Sequence, residues 1–154
     1  MTTETLTQSA RVDAILAKWG TDLAGTPTAD TWNAIKELSE DQPLTLVNFF
    51  KMREQSEYPE GAEDIARDIT GQEAFQRYAD VSMPALESAG GRFLMVAPFG
   101  RTFVGQPQDW DLVAIGNYPN PSALLSLFEQ DDYRKAYVHR TAACADQAVS
   151  LCIG

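Results

Sequence analysis

A chain of 154 residues has the length of one domain, because a second independent core would leave each half near the practical minimum for folding. With 44% hydrophobic, 10% aromatic and 22% charged residues, its composition is that of an ordinary globular protein, which excludes disorder, collagen and coiled coil as the main architecture. Its 12 basic and 22 acidic residues give a net charge of −10, which repels phosphate backbones and anionic lipid; nucleic acid and membrane surfaces are thereby excluded, and small molecules or proteins remain as partners.

No apolar run approaches the roughly 20 residues of a membrane span. The start, MTTETLTQSARVDA, has neither the basic nor the apolar stretch of an export signal, so a cytoplasmic location is expected. Residues 1–42 are expected to form an N-terminal helical extension that packs apart from a sheet domain at 43–154. In RVDAILAKWG, Val12, Ile15, Leu16 and Trp19 fall on one helical stripe, and in ADTWNAIKELSE Trp32, Ile35 and Leu38 do so. The breaker-rich LAGTPT separates them, Thr28 or Asp30 caps the second, and Asp41-Gln42-Pro43 ends it.

PLTLVNFFKM is apolar at both alternating sets of positions and reads as a strand buried on both sides. The stretch that follows carries Glu54, Glu57, Glu60, Glu63, Asp64 and Asp68 and reads as a solvated loop with a short helical turn, without the ligand spacing of a cation site. Thr70 and Glu73 form a capping box ahead of a helix whose inner stripe is Phe75, Tyr78, Ala79, Ser82 and Leu86. Pro84 predicts a kink or restart near Met83, and Gly90-Gly91 ends the helix. RFLMVAPFG is a second strand, placed at a sheet edge by Pro98.

Gly105 and Pro107 make RTFVGQPQDW a bent ribbon or hairpin connection to DLVAIGNY, a third strand apolar enough to be central. Asn120-Pro121 starts a helix that buries Leu124, Leu125 and Phe128. Asp131 or Asp132 caps a continuation, DYRKAYVHRTAACADQ, with Tyr133, Ala136, Tyr137, Arg140 and Cys144 on one stripe. AVSLCIG closes the chain as a strand with Val149, Leu151 and Ile153 on one face. Strand, helix, strand, strand, helix, strand is the split pattern of an α+β, ferredoxin-like βαββαβ fold with an antiparallel sheet, its first and third strands central. Helices on one face leave the other wet, yet these central strands do not alternate. The second face therefore needs a cover, either a second copy in a homodimer whose sheets close into a barrel or the N-terminal helices.

His139, the only histidine, is the candidate catalytic residue, weighed against a partly exposed structural role. Arg140 falls on the inward stripe, where a guanidinium needs either an internal carboxylate, Asp80 or Glu87, or the carboxylate of a ligand. Arg92 has the same two readings. Asn48 interrupts an apolar strand and either bonds across the sheet or dimer or makes a pocket-floor contact to substrate or oxygen. Trp110 and Asp111 either frame a pocket mouth or serve as packing and a turn cap. Tyr78, on the inner stripe of the first body helix, completes the candidate ligand contacts. Cys144 and Cys152 have no metal or redox spacing and read as reduced thiols used as small apolar side chains. No nucleotide, serine-hydrolase or zinc motif is present, and neither metal nor cofactor is expected.

The tyrosine-bearing helix with its following proline (Tyr78, Pro84), the turn Gly90-Gly91-Arg92 and the terminal helix with Tyr133 and Arg140 resemble a bacterial family known as domain of unknown function 1330, over about residues 44–153. The resemblance implies a small dimeric α/β-barrel and carries no established chemistry; the long acidic loop departs from it. Some cofactor-independent monooxygenases and haem-degrading enzymes on this barrel use an asparagine, a tryptophan and a histidine, which invites comparison with Asn48, Trp110 and His139, although the spacing of the last two differs. Two function classes stand: a binder or transformer of a small organic anion or carbonyl compound between sheet and helices, and a non-catalytic dimeric interaction module. The monooxygenase-like enzyme is a further alternative.

Overall fold

The computed structural model describes residues 6–60 and 68–154. Two helices, α1 (Gln8–Trp19) and α2 (Ala29–Lys36), precede β1 (Leu44–Met52), α3 (Gly71–Ser88), β2 (Arg92–Pro98), β3 (Leu112–Tyr118), α4 (Pro121–Glu129), α5 (Asp131–Ala143) and β4 (Cys144–Ile153). The strands form one antiparallel sheet in the order β2-β3-β1-β4, with β1 and β3 central, so the fold is α+β and ferredoxin-like. None of the described helices is long and apolar enough to cross a membrane.

Register decides which side chains face the helices. Leu46, Asn48 and Phe50 of β1 lie opposite Gly116, Ala114 and Leu112 of β3 and opposite Leu151, Val149 and Gln147 of β4. Because strand side chains alternate, these share the inner face while Val47, Phe49, Val113 and Ile115 share the outer one. Leu44 and Leu46 pack in one core with Tyr78 and Leu86 of α3, Leu124 and Phe128 of α4, and Tyr133 and Tyr137 of α5.

The helix starts follow local rules. Thr70 Oγ1 accepts from Glu73 N at 3.0 Å while Glu73 Oε1 accepts from Thr70 N at 3.3 Å, the expected capping box. Asn120 caps α4 through Ala123 N, and Thr28, not Asp30, caps α2 through Thr31 N. Asp131 and Asp132 stand in the first turn of α5 and do not cap it. α2 stops at Lys36, ahead of the proline expected to end it. At the end of α3, Gly90 takes a φ of 102° and Gly91 N donates to Leu86 O at 3.0 Å.

Several expectations are corrected. α3 runs unbroken through Pro84; Asp80, whose carbonyl loses its helical donor there, is exposed and has water available. α5 ends at Ala143, four residues short of Gln147, because the carbonyls of Ala142 and Ala143 accept from Glu57 N and Arg53 N at 3.0 and 2.8 Å. The described part of the arm, residues 6–42, does not pack apart: Val12, Ile15, Trp32 and Ile35 are buried in the same core as the inner sheet face. Arg11 ties α1 to α4 through Glu129 at 2.6 Å, and Trp19 Nε1 donates to Phe128 O at 2.9 Å.

The arm joins the helical layer, so it does not cover the outer face. β1 is buried at Leu44 and Phe50 but only half-buried at Val47 and Phe49, in contrast to burial on both sides. Cys144 is buried, whereas Cys152 is exposed and does not serve as a core side chain. Of the acidic loop, Gln55 and Thr70 form a bridge; the expected helical turn, with Glu63 and Asp64, lies outside the described residues.

Candidate functional site

Between the inner sheet face and the helices lies a cavity of about 410 Å3. Its floor comes from alternate residues of the strands, with Asn48 and Phe50 of β1, Ala114 of β3 and Val149 of β4 among them. The small Ala114 leaves depth where a larger side chain on a central strand would fill it. The roof is the stripe of α3 read from helical spacing, Phe75, Tyr78, Ala79, Ser82 and Leu86, together with Tyr133, Tyr137 and Arg140 of α5. Pro27, Thr31 and Trp32 of the N-terminal arm close one side.

Arg140 is 5% exposed. Its Nε donates to Gln147 Oε1 at 2.7 Å and its Nη1 to the Tyr78 hydroxyl at 3.2 Å, and its guanidinium lies over the rings of Phe50, Tyr137 and Tyr78 at 4.8, 5.0 and 5.6 Å. Among the described residues no carboxylate pairs with it. The expected internal partners are elsewhere: Asp80 is exposed and accepts from Gln76 at 2.8 Å, and Glu87 is exposed. Burial pushes the Tyr133 and Tyr118 phenols above their ordinary value and Tyr137 up to about 12, so all three are neutral near pH 7. Burial likewise pushes the Cys144 thiol up to about 11.

The tyrosines tie the roof together. Tyr78 and Tyr133 hydroxyls are 2.8 Å apart, and Tyr137 donates to Gly25 O at 2.6 Å. Gly25 has a φ of +83°, and a Cβ there would collide with the Gln147 amide, so only glycine brings the arm this close to the residue that holds Arg140. Asn48 Nδ2 donates to Ala114 O at 3.0 Å, the expected bond across the sheet, and its side chain lines the cavity.

Asn48, Tyr78 and Arg140 are therefore brought to one cavity, and the other candidates are not. His139 does not line it; its Nδ1 is 2.7 Å from the Tyr58 hydroxyl, and burial, followed by the charge of Arg77, holds its pKa below the ordinary value. Trp110 packs on Phe49 across 5.7 Å, on the outer face of the sheet, which corrects its placement at a pocket mouth. Asp111 Oδ2 accepts from Met52 N at 2.7 Å as a strand-end cap. Arg92 is exposed at the start of β2. With Asn48, Trp110 and His139 in three separate places, the monooxygenase-like constellation is not assembled within the chain. Gln147 is the site residue that the sequence does not reveal: it shares the parity of Val149, Leu151 and Ile153, but only once α5 is known to stop at Ala143.

Comparison with known proteins supports the fold. The chain is similar to the crystal structure of methylated RPA0582 protein, at 28% identity and a TM-score of 0.73, over 84% of this chain and 93% of that one. It is similar also to the structure of RPA0582, a protein of unknown function from Rhodopseudomonas palustris, at 26% identity and a TM-score of 0.73, over 84% and 95% of the two chains. No curated protein matches it. The family described as domain of unknown function (DUF1330) matches residues 65–152, which carry α3, β2, β3, α4, α5 and most of β4 but not β1, and this chain belongs to that family.

Proposed function

We propose that the protein binds a small organic anion or carbonyl compound in the cavity between sheet and helices, with Arg140 as the anchor and Asn48 and Tyr78 beside it. One observation carries the reading: a guanidinium 5% exposed lines a cavity whose other described lining residues are uncharged, and it meets no carboxylate among the described residues. A buried charge of this kind calls for a counter-charge, and a ligand carboxylate or polarised carbonyl is the partner left to supply it. The test is a thermal-shift screen of small carboxylates and carbonyl compounds against wild type and Arg140→Lys, which keeps the charge and loses the planar two-point contact. Stabilisation of wild type that the variant lacks is expected; a wild type stabilised by no such compound overturns the proposal.

For the outer sheet face we propose a second copy of the chain. Val47, Phe49 and Ile115, each half-buried, form with the buried Val113 an apolar strip across β1 and β3 that packs with no described helix in the hydrophobic core. Phe103 and Val104, 98% and 83% exposed in the β2–β3 connection, add apolar surface that a partner would bury. A two-fold pair brings like faces together and accounts for central strands that do not alternate. In this reading the interaction surface and the ligand cavity lie on opposite faces of the sheet, so the protein is a homodimeric binder and not a module that only recruits partners.

A further inference from the structure

Hydrogen bonding at the roof of the cavity determines which donors are left for a ligand. Tyr133 is 3% exposed and its hydroxyl has one hydrogen-bond partner among the described residues, the Tyr78 oxygen at 2.8 Å. If Tyr78 donated across that pair, the buried Tyr133 proton would have no acceptor, so the satisfied arrangement has Tyr133 donating. Arg140 Nη1 also donates to the Tyr78 oxygen, at 3.2 Å. That oxygen then accepts two bonds, and its own proton remains unused. On the same guanidinium, Nε is engaged by Gln147 and Nη2 has no hydrogen-bond partner among the described residues. Two unused donors, Tyr78 O–H and Arg140 Nη2, therefore sit side by side at one end of the cavity.

The floor is graded along the strands. The rows run from Phe50 and Gln147, beneath Arg140, through Asn48 to Leu46 and Leu151. Alternate rows of a strand are about 6.6 Å apart, so the polar end and the apolar end are separated by roughly 13 Å. Over the apolar end stand Leu86 and Leu124, with Phe93 of β2 beside them. Arg140 is the only charged side chain in the described lining.

We propose that the cavity selects a monoanion with an apolar body, a monocarboxylate whose head takes one hydrogen bond from Tyr78 and one from Arg140 and whose chain or ring lies over Leu46 and Phe93. This deepens, and rests on, the organic-anion reading above. A second carboxylate on the same skeleton would be carried into the leucine-lined end with no cation to meet it, and the net charge of −10 opposes dianions before they arrive. An uncharged alcohol of the same length would fill the apolar end and leave Arg140 without a counter-charge.

The experiment is titration calorimetry of the full chain with octanoate, with suberate as its dicarboxylate of equal length, with succinate and with 1-octanol, at a pH where every carboxyl is ionised. Octanoate is expected to bind wild type, with suberate, succinate and octanol at least about tenfold weaker. Tyr78→Phe, which keeps the ring and loses the proton, should weaken octanoate about tenfold, with circular dichroism reporting an intact fold. Suberate or succinate binding as tightly as octanoate, or octanoate binding unchanged in Tyr78→Phe, overturns the inference and leaves the anion site standing. Binding of no carboxylate by wild type removes the anion site and this inference with it. The selectivity among ligands is measured on wild type, so it decides the inference even where the Tyr78→Phe chain fails to fold.

Discussion

At Arg140 a charge is buried among rings and amides with no opposite charge beside it, and that arrangement sets its stability role. Losing half of a buried ion pair costs about 3–5 kcal/mol, because the partner is left uncompensated. Arg140→Met leaves no charge behind, only the Gln147 carbonyl oxygen without its donor and the Tyr78 oxygen with one bond fewer. At about 1 kcal/mol for each lost hydrogen bond, and with the methionine filling the apolar space, urea unfolding of Arg140→Met should show a loss of about 1–2 kcal/mol. A loss near the ion-pair range would mean that a carboxylate supports Arg140 after all. His139 supplies a second test, clean because it is the only histidine. Its pKa is held below the ordinary 6.5, first by burial and then by Arg77. The unfolded chain thus takes up this proton before the folded one as pH falls; the stability linked to neutral His139 is present above about 6.5 and is lost as pH drops through the folded value. An NMR titration of its ring protons should give a midpoint below the ordinary one, and a midpoint at or above it refutes the assignment.

Helix ends, at the scale of elements, show how far local chemistry reaches. The starts of α2, α3 and α4 are written in the residues that cap them, because a side-chain oxygen and an amide three positions on are enough. The end of α5 is not, because its last carbonyls are satisfied by Arg53 and Glu57, nearly ninety residues away in sequence. The same junction holds the start of α3. A Cβ at Gly71 would lie 2.9 Å from Ala143 O and 2.8 Å from Arg53 N, inside van der Waals contact with two other backbone segments. Gly71→Ala must move one of three elements, and thermal or urea unfolding should show a loss of about 3 kcal/mol; a neutral effect would show that the junction is loose.

For the whole molecule, the question is what becomes of the outer sheet face. The arm packs into the helical layer, with Val12, Ile15, Trp32 and Ile35 in the main core, and is not available to cover Val47, Phe49 and Ile115. Sedimentation of the wild type should therefore give twice the chain mass at micromolar concentration. Ile115→Glu, which places a carboxylate in the middle of the strip, should give a folded monomer. A monomeric wild type would end the dimer proposal and leave the apolar strip to be explained.

The order of elements, the central place of β1 and β3, the caps of α3 and α4, and the stripe of α3 that roofs the cavity were legible in the sequence alone, because periodicity and capping are properties of neighbouring residues. Helical spacing likewise sufficed to bring Arg140 and Tyr78 to the inward side of their helices. Tertiary structure decided what these groups meet. Only the packed chain separates Arg140 from Asp80 and Glu87, sends Trp110 to the outer face and His139 to Tyr58, and stops α5 early enough for Gln147 to turn inward. Each of those outcomes depends on groups far apart in sequence competing for the same hydrogen bonds and the same space, which no local pattern records.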